Sequence, residues 1–298
     1  MRAKFGLLAA AVSLALVSQG AQAMSYATAT LGPVTVTLID LNPLDSILPS
    51  INWGNNTYYG YSNYTYVYAY DTANGNFPTN GALGTYIGSN NSSSTSTAHS
   101  AATSSISSGG DETNINGMSM ASYGYADGTT VAGNYCYFQG GSYAPYYNYD
   151  TFTLGAYTGV VFSANVSASA STTVGYQDGW GNEAASASSV LNVWGTQPSG
   201  NSGSQSSYSS ISANASYDAV WNNQTQTYDY IGQNDDKTDV LGAAYINYTG
   251  SDKVGYLQVN TYVSGISYVA SAVPESDAYA LLMAGMLLIS SIARRKSE

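Results

Sequence analysis

Basic residues are nearly missing from this chain. Seven Lys and Arg stand against 18 Asp and Glu in 298 residues, and five of the seven (Arg2, Lys4, Arg294, Arg295 and Lys296) lie at the two ends. Between residues 24 and 272 only Lys237 and Lys253 face 15 acids, a net charge of −13 for that portion. Binding to DNA, RNA or anionic lipid needs Lys and Arg gathered on one face, so no nucleic-acid partner is expected. Cysteine is as scarce. Cys136 is alone, which excludes an intramolecular disulfide and leaves an intermolecular bridge or, favoured here, a small buried thiol. A single histidine, His99, excludes a His-rich or thiolate zinc site and obliges any Ser-His-Asp triad to use it. It sits in the polar run Thr97-Ala98-His99-Ser100-Ala101 with no Gly-x-Ser-x-Gly elbow, and is expected to be an exposed loop residue.

Helical periodicity with caps is also absent between residues 24 and 272; what is there has period two. From Val161 to Val174 the residues Phe162, Ala164, Val166, Ala168 and Ala170 fall on one face, and Ser163, Asn165, Ser167, Ser169 and Ser171 on the other. That is the pattern of a half-buried strand. It recurs at Ala185, Ala187, Leu191 and Val193, and at Ile211, Ala213, Ala215 and Tyr217. Thr249 to Lys253 separates two further strands and suits a hairpin loop. Recurrent short strands punctuated by Gly, Asn and Ser predict an all-β fold, an antiparallel β-sandwich or jelly roll, built as one domain from residues 24–272. Ser89 to Gly110 is so polar that it fits either a flexible loop or a very polar strand, and Gln197 to Ser207 reads as a loop. Many inward positions are alanine. At about 25 cal/mol per Å² each contributes little, so many strands and the tyrosines are expected to hold the core together.

The chemistry-bearing residues are few. Paired carboxylates, as in glycoside hydrolysis, have two candidate groups, Asp235-Asp236 with Asp239 and Asp178 with Glu183. Both lie in Gly/Asn/Gln-rich segments expected to be surface turns, and no catalytic residue or metal ligand is assigned. Structural calcium at the Asp178 to Glu183 or Asn234 to Asp236 loops is the one cofactor left open, although the twelve-residue calcium loop is missing. Asn-x-Ser/Thr triplets begin at Asn55, Asn63, Asn165, Asn214 and Asn247, as a chain rich in these residues produces by chance. Tyrosine is the strongest signal. The chain has 29, and Tyr64, Tyr66, Tyr68 and Tyr70 alternate with Thr65, Val67 and Ala69, so a strand there carries a face of tyrosine alone. A second cluster is Tyr143, Tyr146, Tyr147 and Tyr149. Such rows stack on sugar rings, making Tyr64, Tyr66, Tyr68 and Tyr70 candidate carbohydrate contacts, or they pack across a sheet as good strand formers.

Both ends carry processing signals. Arg2 and Lys4, an apolar stretch from Phe5 to Val17, and Ala21-Gln22-Ala23 make residues 1–23 a secretory signal peptide. At the other end Val273-Pro274-Glu275-Ser276 precedes an apolar run from Ala278 to Ala293, closed by Arg294-Arg295-Lys296. As a helix the run would be about 24 Å long, enough to span when its flanks sit at the interfaces. The basic stop marks the cytoplasmic end.

Residues 273–298 closely resemble the PEP-CTERM sorting signal. Val273, Pro274, Glu275, Tyr279-Ala280-Leu281-Leu282, Ala284-Gly285 and the basic cluster carry the likeness, and Ser276 departs from it by replacing the family's second proline. The resemblance implies an exported protein of a Gram-negative bacterium, held transiently in the inner membrane by a single transmembrane helix. An exosortase-type enzyme would cut it near Val273 to Glu275, leaving it at the cell surface or extracellular. It further implies a non-enzymatic, structural or adhesive component of the exopolysaccharide matrix of a biofilm or floc, with extracellular polysaccharide as partner. A carbohydrate-binding adhesin module is the alternative, and a polysaccharide hydrolase a weaker one.

Overall fold

The computed structural model describes residues 24–54, 62–73, 75–128, 135–145, 151–173, 183–196 and 204–268. The predicted signal peptide, the expected sorting residues Val273, Pro274 and Glu275, the apolar run and the expected basic stop Arg294, Arg295 and Lys296 lie outside them. Among the described residues no helix is long and apolar enough to cross a membrane. Regular structure in these residues is strand throughout. In chain order the strands are β1 (Met24–Leu31), β2 (Thr35–Asp40), β3 (Ile51–Trp53), β4 (Tyr64–Asp71), β5 (Thr79–Leu83), β6 (Asn91–Ser96), β7 (Ser100–Ser107), β8 (Ser119–Asp127) and β9 (Tyr135–Ala144). There follow β10 (Phe152–Leu154), β11 (Thr158–Thr172), β12 (Glu183–Thr196), β13 (Ser204–Ala215), β14 (Tyr217–Asn222), β15 (Thr227–Gly232), β16 (Asn234–Ile246) and β17 (Lys253–Tyr268).

Two antiparallel sheets face each other across one core. The first runs β16-β11-β1-β8-β7-β6, with β2 continuing the lane of β1 along β11. The second runs β13-β12-β17-β9-β4-β5, with β10 beside β17 and β3 beside β10. β14 and β15 form a separate hairpin. The predicted alternation of β11 is realised: Phe162, Ala164, Val166, Ala168 and Ala170 are buried, and the serines between them are partly exposed. Met24, Thr173, Glu183 and Tyr268 gather at one pole, where the Glu183 carboxylate accepts from the Thr173 N–H and the Ser267 hydroxyl.

Alanine-rich faces bring the sheets close, and a few aromatic side chains supply the bulk. Phe138, Phe152, Phe162 and Tyr245 are fully buried, and Trp53 packs edge-on against Phe152 and Phe162. Each of three rings needs a glycine beneath it. Phe138 occupies the space that side chains at Gly124 and Gly265 would fill, Phe152 that of Gly255, and Tyr245 that of Gly195. Glycine inside a strand weakens it in isolation but admits the neighbouring ring.

Hydroxyl bridges between sheets supplement this small apolar area. Ser122 of β8 reaches Thr261 of β17 at 2.8 Å, and Ser93 of β6 reaches Thr65 of β4 at 2.8 Å. Ser142 donates to the Ser105 carbonyl and Ser189 to that of Thr30. Each such bond contributes about 1 kcal/mol net and keeps a buried polar group satisfied. Side chains also clip the sandwich laterally. Asn80 and Asn91 donate to the Ser94 and Ala82 carbonyls across β5 and β6, while Asp235 accepts from the Asn214 N–H and Lys237 donates to the Ser212 carbonyl across β16 and β13.

Several expectations need correction. Thr249 to Lys253 is not a hairpin loop: β16 belongs to the first sheet and β17 to the second, so the chain turns a corner between sheets. The corner is set by buried Asn247, whose side-chain amide donates to the carbonyls of Leu154, Gly155 and Ser251. Asn63 is likewise buried, donating to the Ile87 and Ser89 carbonyls. Neither triplet at these asparagines is therefore an accessible glycosylation acceptor. Of the two readings of Ser89 to Gly110 the polar strand holds, as paired β6 and β7, whereas Gln197 to Ser207 is not all loop, since β13 takes in Ser204 to Ser207. Among the described tyrosines Tyr245 alone is fully buried, so tyrosine does not fill the core. Aromatic carbon at the interior is supplied chiefly by phenylalanine because a buried phenol needs a partner, which Tyr245 finds in the Val254 carbonyl.

Phe138→Ala is expected to cost about 3–5 kcal/mol, read as a fall in denaturation midpoint, because the glycine-lined slot cannot collapse. Among the described residues the buried Ser25 hydroxyl has no hydrogen-bond partner. Ser25→Ala should therefore match or exceed the parent in thermal melting, by about 1 kcal/mol.

Candidate functional site

β4 sits inside the second sheet between β5 and β9. Its period-two pattern buries Thr65, Val67, Ala69 and Asp71 and turns Tyr64, Tyr66, Tyr68 and Tyr70 to the outer face, half-exposed. The four predicted residues thus share one face. β9 runs beside them and presents Tyr135, Tyr137, Gln139 and Tyr143 in the same direction. The four β4 tyrosines, Tyr135, Tyr137 and Gln139, together with Phe77 and with Thr79, Asn80 and Gly81 of β5, line an open groove of ≈ 670 Å³, and Tyr143 stands beyond it. Of the second tyrosine cluster, Tyr143 stands against Tyr66, while Tyr146, Tyr147 and Tyr149 lie outside the described residues.

The rings are ordered by one another. Tyr64 and Tyr66 have centroids 6.1 Å apart with planes 14° from parallel; Tyr66 and Tyr143 are 5.8 Å apart at 20°. Tyr68 meets Tyr137 edge-on at 5.5 Å, and Tyr70 stacks on Phe77 at 4.3 Å. Polar atoms link the set: the Tyr137 hydroxyl donates to Gln139 Oε1 at 2.8 Å, and Gln139 Nε2 donates to the Tyr66 hydroxyl at 2.9 Å. Burial, followed by the neighbouring Tyr143 hydroxyl, raises the Tyr66 pKa far above the ordinary tyrosine value. Burial likewise pushes Tyr137 up to about 12 and raises Tyr143. These phenols stay neutral donors and acceptors through the physiological range. No Asp, Glu, Lys, Arg or His is among the described residues that line the groove.

The sequence reading missed Tyr135, Tyr137, Gln139 and Phe77. The alternation Tyr135-Cys136-Tyr137-Phe138-Gln139 carried the signal for three of them, since it places both tyrosines and the glutamine on one side of a strand.

Of the carboxylate candidates, adjacent Asp235 and Asp236 do not come together as a catalytic pair. Asp235, Asp236 and Asp239 lie in β16 rather than in a turn, and adjacent strand residues point to opposite faces. Asp235 bonds the Asn214 N–H and pairs with Lys237 at 3.0 Å, which lowers its pKa; Asp236 accepts from Asn234, and Asp239 from the backbone of Val240. Glu183 is buried in the polar contacts described above, and Asp178 lies outside the described residues. Among the described residues no three His, Cys, Asp or Glu side chains are grouped to hold a metal ion.

His99 lies in the loop between β6 and β7, as expected, but is not exposed. It is partly buried, with Nε2 3.9 Å from a carboxylate oxygen of fully buried Asp71. Asp71 is opposite Cys136 in the pairing of β4 with β9, so the lone histidine and lone cysteine are brought to one pole by residues distant in sequence. Burial, then the charges of Asp71 and Asp127, push the Cys136 thiol up to about 12, and its Sγ donates to the Asp127 carbonyl. A thiol so placed is a poor nucleophile near neutral pH.

Comparison with protein-family models, with curated proteins and with solved structures finds no match to this chain.

Native Cys136 should react with a disulfide reagent at pH 8 at least about tenfold more slowly than the same thiol in denaturant. The tyrosines carry a linked pH dependence. Their neutral form is favoured by folding, so the stability they contribute is complete below the ordinary pKa near 10 and is lost as pH rises through the raised folded values. Absorbance titration of phenolate should show a fraction of tyrosines ionising only together with alkaline unfolding.

Proposed function

We propose that this chain is an exported, non-enzymatic surface or extracellular-matrix protein that adheres to polysaccharide through the outer face of its second sheet. The observation that carries the reading is the open groove floored by Tyr64, Tyr66, Tyr68 and Tyr70 and walled by tyrosines of β9. Cross-strand ring contacts stabilise the sheet, but a contiguous outward surface of four alternate tyrosines with neutral hydroxyls is also the composition of a binding face. Sugar offers such a face both partners it needs, apolar C–H surface for the rings and hydroxyls for Gln139, Asn80 and the phenols.

Export and sorting enter from the two ends. Residues 1–23 would direct secretion, and residues 273–298 would hold the chain in the inner membrane until an exosortase-type enzyme cuts near Val273 to Glu275. The strongly acidic exported portion keeps copies apart by self-repulsion in a crowded matrix. Cohesion of a biofilm or floc then comes from protein bound to exopolysaccharide.

Replacing Tyr64, Tyr66 and Tyr68 together by Ala should reduce retention on the producing cell's purified exopolysaccharide by at least about tenfold while the far-ultraviolet spectrum still reports strand. Unchanged retention would assign the tyrosines to packing alone. Intact mass of the protein from envelope and culture fluid should run from Met24 to the Val273 region; a chain retaining Arg294 to Glu298 would defeat the sorting assignment.

A further inference from the structure

Rows of tyrosine on a strand do not by themselves make a platform, because rings can stand on edge. Here two glycines determine how they lie. A side chain on Gly81 of β5 would begin 2.5 Å from the Tyr64 hydroxyl oxygen and 3.1 Å from the ring carbon bearing it, so Tyr64 leans across β5 and covers this glycine. A side chain on Gly141 of β9 would begin 2.7 Å from Tyr66 Cε1 and 2.9 Å from Tyr143 Cε2, so the hydroxyl-bearing ends of these two rings converge over it. Ring atoms this close to the glycines mean that Tyr64 leans across β5 and that Tyr66 and Tyr143 lean over Gly141, in a row whose successive planes are 14° and 20° from parallel.

Resting on the saccharide-binding reading above, we propose that Tyr64, Tyr66 and Tyr143, seated over Gly81 and Gly141, form a platform for a neutral polysaccharide of pyranoses with equatorial substituents, and that the face discriminates against acidic polymers. Such a pyranose presents a broad apolar C–H face and directs its hydroxyls outward in the ring plane. Two neighbouring rings of the platform, 6.1 and 5.8 Å apart between centroids, offer contact surface on the scale of successive sugar units. Discrimination follows from charge. A uronate or sulfate laid against these rings would lose hydration and meet no cation in the described lining of the groove, while the −13 of residues 24–272 repels it at longer range. Gly81 and Gly141 are positioning residues, acting through the rings they seat.

The test is affinity electrophoresis of the full chain, purified from an exporting bacterial host, through gels containing a neutral β-linked glucan (hydroxyethyl cellulose), a neutral galactomannan, or alginate as the acidic polymer. Retardation by at least one neutral polymer and none by alginate is expected, unchanged when salt is raised. Gly81→Ala and Gly141→Ala should each weaken neutral binding about tenfold or more by tipping rings, with thermal melting unchanged or raised for the edge-strand variant. Should Gly141→Ala fail to fold, Tyr143→Leu tests the same ring. Alginate binding as tight as neutral binding, or glycine variants and Tyr143→Leu that bind like the parent, would overturn the platform and leave saccharide binding standing. Retardation by none of the three polymers would overturn both.

Discussion

An aromatic ring laid over a glycine of an adjacent or facing strand is the contact on which this sandwich depends. Inside, Phe138 fits only because Gly124 and Gly265 lack side chains, Phe152 because of Gly255, and Tyr245 because of Gly195. Outside, Tyr64 and Tyr66 use Gly81 and Gly141 in the same way. Phe162 is packed by Trp53 and Phe152 instead, while the other three fully buried rings each fill the space of a missing side chain. The ring in turn screens backbone that the glycine leaves bare. One rule therefore governs core volume and the form of the outer face.

Hydroxyl chemistry divides along the same boundary. Interior Ser and Thr satisfy one another across the sheets, as Ser122 does with Thr261, and this compensates for the modest apolar area of alanine. Outer phenols are tied laterally through Gln139, which fixes hydroxyl positions without charge. Side-chain entropy is thereby lost in folding instead of at binding, the usual benefit of preorganisation.

Strand identity was legible wherever one face is buried, because alternation is a local property: Phe162 to Ala170 and Tyr64 to Tyr70 declare their inward and outward faces in sequence. The outward direction of the four tyrosines was therefore readable, and so in retrospect was that of Tyr135 and Tyr137. Pairing was not. Thr249 to Lys253 has the composition of a hairpin loop, but whether flanking strands pair or part is decided by Asn247 and its distant carbonyl partners. Ring orientation was equally hidden, since Gly81 and Gly141 reach the tyrosines only through register. The approach of His99 to Asp71, and the placing of Asp71 opposite Cys136, arise the same way and leave no mark in local spacing. Asp235 and Asp236 misled in the opposite sense, since adjacency in sequence separates side chains in a strand.

The last strand carries a geometric consequence. β17 ends with Tyr268 at the pole that also holds Met24, whereas Tyr64 and Tyr143 stand level with Asn260, eight residues earlier on that strand. At about 3.3 Å per residue this is roughly 26 Å of rigid standoff. In a chain tethered beyond Tyr268, the sheet acts as a post, carrying its aromatic surface on the flank rather than the tip. A polymer laid along Tyr64 and Tyr66 would then run with β4, lengthwise on the post, so that a pull along the post would be borne in shear across several rings instead of by peeling one at a time.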